Sequence, residues 1–327
     1  MTPRARHDPQ PLSPGLLFAV VLGLLTAATA GVWASRPDLG QGANITRAER
    51  PSDDYYLALD RAGHADHHVL YFGTDDEALA HLRRADVLLL GNSRLMFAAR
   101  RRVLDPFFEA RGQRYYVLGF GFREGDRFPL DIIEKFDLRP RLVIVNADGF
   151  FTGVYSDFGR AVRSDTAIGA RQLQYESEIG HEVRRVIHQL VPNWVDLFGR
   201  PGFPWRQELV IYRSRSNGTW HLSPWAEGLR RVESRPLHEP PLSDREIGAA
   251  RRFKAAMDQR GAGLVLTYVP TSRPLGGGPA LFADLLGVPF VMATPPGLRT
   301  EDDDHLDEPS AVAWSQAFVR ELERVLP

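Results

Sequence analysis

The sequence predicts a doubly wound α/β domain with a parallel sheet, and three observations carry that expectation. First, Val87–Leu90 is an unbroken apolar run of the kind a strand buried on both faces needs. It stops at Gly91-Asn92-Ser93-Arg94 before a helical pattern starts at Leu95. Second, two more short apolar runs, Tyr115–Leu118 and Leu142–Val145, alternate with helical patterns. They close on Gly119-Phe120-Gly121 and on Asn146-Ala147-Asp148-Gly149. Third, the alternation resumes late in the chain with strands at Leu264–Val269 and Val288–Met292. Parallel strands joined by right-handed crossovers bring these endings to one edge, where ligands bind in open α/β sheets.

The chain opens with Arg4 and Arg6, followed by Gly15–Ala34, twenty residues without a charge. At ~1.5 Å per residue that run reaches ~30 Å, the thickness of a hydrocarbon core. The basic side stays in the cytoplasm, so residues 1–14 read as cytoplasmic, 15–34 as a transmembrane anchor and the rest as extracytoplasmic, facing the periplasm in a Gram-negative cell. A cleaved signal peptide is the competing reading, because Ala28-Thr29-Ala30 fits a small-residue cleavage site. The apolar run continues through Val32 and Trp33, which favours the anchor. Residues 35–68 read as linker and lead-in, rich in Pro, Gly and polar residues up to Asp53.

The α/β domain then runs from 69 to 327. Asp75–Arg84 reads as a short amphipathic helix feeding the first strand, and Leu95–Arg111 as one helix with Leu95, Phe97, Leu104 and Phe108 on its apolar side. Pro129–Phe136 is the next helix. Residues 156–239 break the pattern: a helix near Gln172–Leu190 leads into a stretch dense in Pro, Gly and Trp, read as an insertion over the sheet edge. Its tryptophans, Trp194, Trp205, Trp220 and Trp225, suit either a sugar-stacking surface or a small satellite core. Leu242–Gly261 is a helix with Ser243 as its N-cap, Ala280–Leu286 another, and Ser310–Leu326 the last.

Composition narrows the function classes. A formal charge of −1 offers no bulk attraction to nucleic acid. The chain has no cysteine, which excludes disulfides, a thiol nucleophile and a thiolate metal site. The group His64, His67 and His68 matches no closed set of metal ligands and reads as solvated histidines. Gly276-Gly277-Gly278 lacks the Lys-Ser/Thr of a phosphate cradle. No cofactor or metal is expected.

Chemistry concentrates at two points. Ser93 stands on a strand-to-helix turn with a helix N-terminus behind it, a position that suits a nucleophile or, more plainly, a helix cap. His305 lies in the acidic loop Glu301-Asp302-Asp303-Asp304-His305-Leu306, between the last strand and the last helix, so the architecture brings it to the edge that carries Ser93. An imidazole with an upstream carboxylate is the base and orienter that an alcohol nucleophile requires.

The order Gly91-Asn92-Ser93, Gly119-Phe120-Gly121, Asn146 and Asp302-Asp303-Asp304-His305-Leu306, each after a strand, resembles the four blocks of the SGNH/GDSL hydrolase superfamily over about residues 85–327. The resemblance implies a flavodoxin-like three-layer α/β/α sandwich. It implies Ser93 as nucleophile, His305 as base and Asp302 as orienter, with Asp303 the alternative. It also implies an oxyanion site from the N–H groups of Ser93 and Gly121 and from Asn146. The Gly-x-Asn-Asp form of the third block is absent here, so Asn146, Asp148 or neither fills that place. The anchor, the GNSR block and the His-Leu ending look more like the extracytoplasmic branch of polysaccharide O-acetylation and lipoteichoic acid D-alanylation proteins. An O-acyltransferase or esterase acting on an exported polysaccharide, served by a membrane-bound O-acyltransferase partner, is what the resemblance implies. A glycan-binding or assembly protein on the same scaffold and a lipid esterase are the rival readings.

Overall fold

A computed structural model of the chain describes residues 50–59, 65–121, 124–190, 210–223, 230–231, 241–272 and 278–326. The chain divides into two compact units, and the one built from 46–185 and 208–327 holds everything that follows. The anchor at 15–34, the linker at 36–49, His64, Trp194, Trp205, Trp225 and Gly276-Gly277 lie outside the described residues. Among the described residues no helix is long and apolar enough to cross a membrane.

Ten strands are described: β1 Tyr55–Leu59, β2 Val87–Gly91, β3 Tyr115–Gly119, β4 Leu142–Asn146, β5 Val210–Ser214, β6 Trp220–Ser223, β7 Arg230–Arg231, β8 Gly263–Tyr268, β9 Phe290–Met292 and β10 Arg299–Thr300. Five of them form one parallel sheet in the order β3-β2-β4-β8-β9. The chain steps from β2 to β3 on one side, then crosses to β4 on the other, so the order reverses at β2 and β4. This is the doubly wound 2-1-3-4-5 order, and its ligand crevice opens between the carboxyl ends of those two strands.

Alternate residues of each strand supply opposite faces. Val87, Leu89, Val117, Ile144 and Val265 pack with the helices Ser93–Ala98, Arg101–Glu109 and Glu308–Val325. Leu88, Leu90, Leu118, Val143, Val145 and Leu266 pack with Arg127–Lys135, Asp244–Gln259 and Pro279–Leu286. The first connection runs over one face and the later ones over the other, as right-handed crossovers require when the direction of travel reverses. Ser243 caps its helix reciprocally with Glu246, whose N–H it accepts while the Glu246 carboxylate accepts the N–H of Ser243.

Three features differ from expectation. The helix expected over Leu95–Arg111 is broken: Ala99 and Arg100 are extended, and Ser315 of the last helix donates to Ala98 O at 2.6 Å and accepts Arg100 N–H at 3.1 Å. One buried hydroxyl satisfies backbone groups on both sides of the break. The lead-in also carries regular structure, since β1 pairs antiparallel with β5, β5 pairs with β6, and Ala65–Phe72 is a helix. Finally, His67 is not solvated but fully buried, with Nδ1 3.1 Å from Asp66 Oδ1 and Nε2 3.8 Å from Glu124 Oε2. His68 meets Asp165 at 3.1 Å.

Candidate active site

The geometry of Ser93 begins with two glycines. Gly91 and Gly119 face each other in the β2–β3 register. A β-carbon at Gly119 would come within 2.6 Å of Met96 Sδ, and one at Gly91 within 3.0 Å of Leu95 Cβ. Their bareness lets the short helix Ser93–Ala98 settle onto the ends of the two strands. Asn92, not Ser93, is the cap: its Oδ1 accepts the N–H of Arg94 at 3.0 Å, and its Nδ2 donates to Asp148 O at 2.8 Å. Ser93 is thereby the first residue of the helix, with its hydroxyl released from capping.

That hydroxyl meets His305: Ser93 Oγ lies 2.8 Å from His305 Nε2. His305 Nδ1 lies 2.7 Å from Asp302 Oδ2. The other oxygen of the same carboxylate accepts the backbone N–H of His305 at 2.8 Å and of Asp304 at 3.0 Å, so Asp302 folds the loop and orients the ring at once. The hairpin is pinned at its base by Glu301 N–H on His305 O, by the Thr300–Leu306 bridge, and by the pairing of β10 with β7. Its tip, Asp303, takes φ of 70°, a left-handed conformation that aspartate tolerates better than most side chains. Asp302 rather than Asp303 holds the imidazole.

Burial pushes the Asp302 carboxyl up, but its hydrogen bond to His305, the His305 charge and the two backbone N–H donors outweigh this and take it down to about 2. It is ionised across the whole working range. Phe97, one turn after Ser93, lies against the imidazole with ring centroids 4.2 Å apart, and Trp220 of β6 meets Phe97 edge to face at 6.1 Å. Trp220 belongs to the main core, 6% exposed, which answers the choice between core and sugar-stacking surface for this residue.

The candidate oxyanion residues divide. Phe120 N–H donates to Gly91 O at 3.0 Å, so the chain stays paired past the end of β3, and Gly121 follows β3 by two residues as Ser93 follows β2. Asn146 differs from the expectation. It is completely buried beneath the turn, where Oδ1 accepts the N–H of Val269 at 3.1 Å and Nδ2 reaches Asn92 Oδ1 at 3.4 Å. Its amide supports Asn92 and the end of β8, facing no open surface. Asp148 is buried as well, bonded to Arg94.

Arg94 is the site residue that sequence reasoning passed over. Its guanidinium joins Asp148, past β4, to Asp304, next to His305. The signal was a charged residue directly after the serine in an otherwise apolar helix, Ser93–Ala98. Among the described residues no group of His, Asp and Glu is arranged to hold a metal ion.

No family model matches the chain, and no curated protein matches it. Solved structures that it resembles include a proposed acylhydrolase from Bacteroides fragilis, at 13% identity over 76% of this chain and 94% of that one, TM-score 0.35. They also include a GDSL-like lipase from Bacteroides thetaiotaomicron, at 12% identity over 78% of this chain and all of that one, TM-score 0.35.

Proposed function

We propose that this chain is a serine-dependent O-acyltransferase or esterase with an SGNH-like mechanism. In this reading it acts on acyl groups, chiefly acetyl, of an exported or cell-wall polysaccharide. The single observation that supports the reading is the unbroken run of short hydrogen bonds from Asp302 through His305 to Ser93. An alcohol is a weak nucleophile at neutral pH, and a base held in line by an ionised carboxylate is what activates it.

In this mechanism Ser93 Oγ attacks the acyl carbonyl carbon while His305 Nε2 takes the hydroxyl proton. The tetrahedral oxyanion accepts from the N–H groups of Ser93 and Gly121; the first-turn N–H of a helix has no partner inside it. Collapse breaks the bond to the leaving alcohol, which receives the proton from Nε2, and leaves the acyl group on Ser93. Water or a sugar hydroxyl then attacks the acyl carbon, giving its proton to Nε2; the bond to Ser93 Oγ breaks, and Oγ takes the proton back from Nε2 as the acid or new ester leaves. Trp220 stands beside Gly121 and Phe97 beside His305, and together they favour a short acyl group. No cofactor or metal enters any step.

The rest of the reading rests on the sequence. Residues 15–34 would hold the domain at the outer face of the inner membrane. A membrane-bound O-acyltransferase partner would hand the acyl group outward, and the acceptor would be a polysaccharide.

The test uses the full chain purified in detergent and given a chromogenic acetyl ester with and without a soluble glycan, beside Ser93→Ala and His305→Ala. Ester cleavage that disappears in both variants, with acetyl appearing on the glycan, supports transfer; cleavage without transfer supports an esterase. Equal inertness of all three proteins, with no fluorophosphonate adduct on Ser93, would sink the enzymatic reading in favour of a glycan-binding protein. Fatty acid released from membrane lipid would instead point to a lipid esterase.

A further inference from the structure

Arg94 is 2% exposed, yet it carries its charge between segments that arrive from three different strands. It follows Ser93 on the turn after β2. Its Nη1 donates to Asp148 Oδ2 beyond β4, and its Nη2 donates to Asp304 Oδ1 at 2.7 Å in the hairpin of His305. Asp148 is buried, whereas the Asp304 side chain is about one-third exposed. From this division of the guanidinium fork we infer that Arg94 is a positioning residue for His305, acting through Asp304. The inference rests on the acyl-transfer reading above.

Two features of the hairpin make the link consequential. Asp304 is bonded to His305 in sequence and donates its N–H to Asp302 Oδ1, the carboxylate that orients the ring. A displacement of Asp304 therefore moves both the imidazole and its orienter. The hairpin is also acidic along its length, with Glu301, Asp302, Asp303 and Asp304 in succession. Like charges spread such a loop apart unless a cation is fixed beside it, and Arg94 supplies one. A planar fork holding two carboxylates fixes direction as well as distance. Through it the serine turn, the end of β4 and the histidine hairpin form one unit. Asp148, already paired with Arg94, keeps the cation in place when the hairpin moves.

The decisive variant is Asp304→Ala in the full chain, because it cuts the link on its exposed side, leaves the Asp304 backbone N–H on Asp302, and leaves the buried Arg94–Asp148 pair intact. The readouts are kcat and KM on a chromogenic acetyl ester and the downfield proton resonance of His305 Nδ1–H, assigned by its absence in His305→Ala. The expected result is a fall in kcat of about 10- to 100-fold with KM unchanged, the scale of a misplaced base. With it the Nδ1–H resonance broadens or shifts, and both effects are partly recovered in Asp304→Glu. Wild-type kcat in Asp304→Ala overturns the inference, and so does a loss of kcat with the resonance unmoved. If the wild-type chain cleaves no ester, the acyl-transfer reading fails by itself. The resonance then decides alone: movement in Asp304→Ala upholds the positioning role, and an unchanged signal overturns it.

Discussion

Asp302 divides its carboxylate between two tasks at His305: Oδ2 meets ring Nδ1 at 2.7 Å, and Oδ1 accepts the backbone N–H of the same residue at 2.8 Å. The loop fold and the ring orientation are therefore separable by chemistry, because an amide oxygen can replace one carboxylate oxygen but not both.

Asp302→Asn makes the separation measurable. The amide oxygen still accepts the backbone N–H groups, so the hairpin keeps its shape. The amide NH2 now faces Nδ1 and selects the tautomer with the proton on Nε2, which cannot take a proton from Ser93. In Ser–His–Asp enzymes this exchange costs about 10⁴ in kcat, and a fall of ~10²–10⁴ is expected here. Stability against pH gives a second reading. The Asp302 carboxyl lies lower folded, about 2, than its ordinary value. Its contribution is complete above the ordinary carboxylate range and is lost as pH falls from there toward 2, so the variant differs least from wild type in acid. A variant with wild-type kcat would remove Asp302 from the mechanism.

Trp220 sets the expected acyl length. The nearest atom to a β-carbon built on Gly121 is Trp220 Cη2 at 3.7 Å, and the indole also abuts Phe97. Trp220→Ala should open space beside Gly121, the proposed oxyanion donor. The ratio of kcat/KM for a butyryl or hexanoyl ester over acetyl should rise by about 10-fold or more, one methylene being worth 1–3 kcal/mol in an apolar pocket. Trp220→Phe should fall between the two. A uniform loss on all chain lengths would mean that the indole serves only the core.

Asn146→Ala distinguishes support from catalysis. Removing the amide strips Val269 N–H of its buried acceptor and Asn92 Oδ1 of a donor. Stranding buried groups of this kind costs about 1–3 kcal/mol, measured as a lower denaturation midpoint. An oxyanion donor would instead lower kcat by ~10²–10³. The expected pattern is the stability loss, with kcat falling by less than that range; the reverse would return Asn146 to the oxyanion site.

What was legible in the sequence follows from range. The five sheet strands declare themselves locally, as apolar runs that end in small or polar residues, and Ser93 and His305 could be paired because doubly wound topology sends their loops to one edge. The broken helix was not legible: nothing near Ala99 and Arg100 announces a break, because Ser315, which satisfies both sides, is 215 residues away from Arg100. The same holds for Arg94, whose partners arrive from two later strands, and for β1, whose partner strand lies in the insertion. His67 reads as polar and solvated beside His64 and His68; only the fold buries it against Asp66, Glu124, Phe120 and Phe128.

Arg213 offers the sharpest test of that buried polar layer. It is fully buried on β5, with Nη1 3.2 Å from Asp66 Oδ2 and Nη2 donating to Val117 O, and its guanidinium lies 5.3 Å from the centre of the Phe120 ring. The carboxylate of Asp66 is held by this cation on one side and by His67 on the other. Arg213→Met fills similar space but leaves Asp66 in the interior without its guanidinium partner, and loss of one member of a buried pair costs about 3–5 kcal/mol. Adding Asp66→Asn removes that buried carboxylate's charge, so the double variant should be more stable than Arg213→Met alone, by a coupling of ~0.5–3 kcal/mol in a double-mutant cycle. Additive effects in chemical denaturation would show that Arg213 acts through its contacts with Val117 and Phe120 and not through its charge on Asp66.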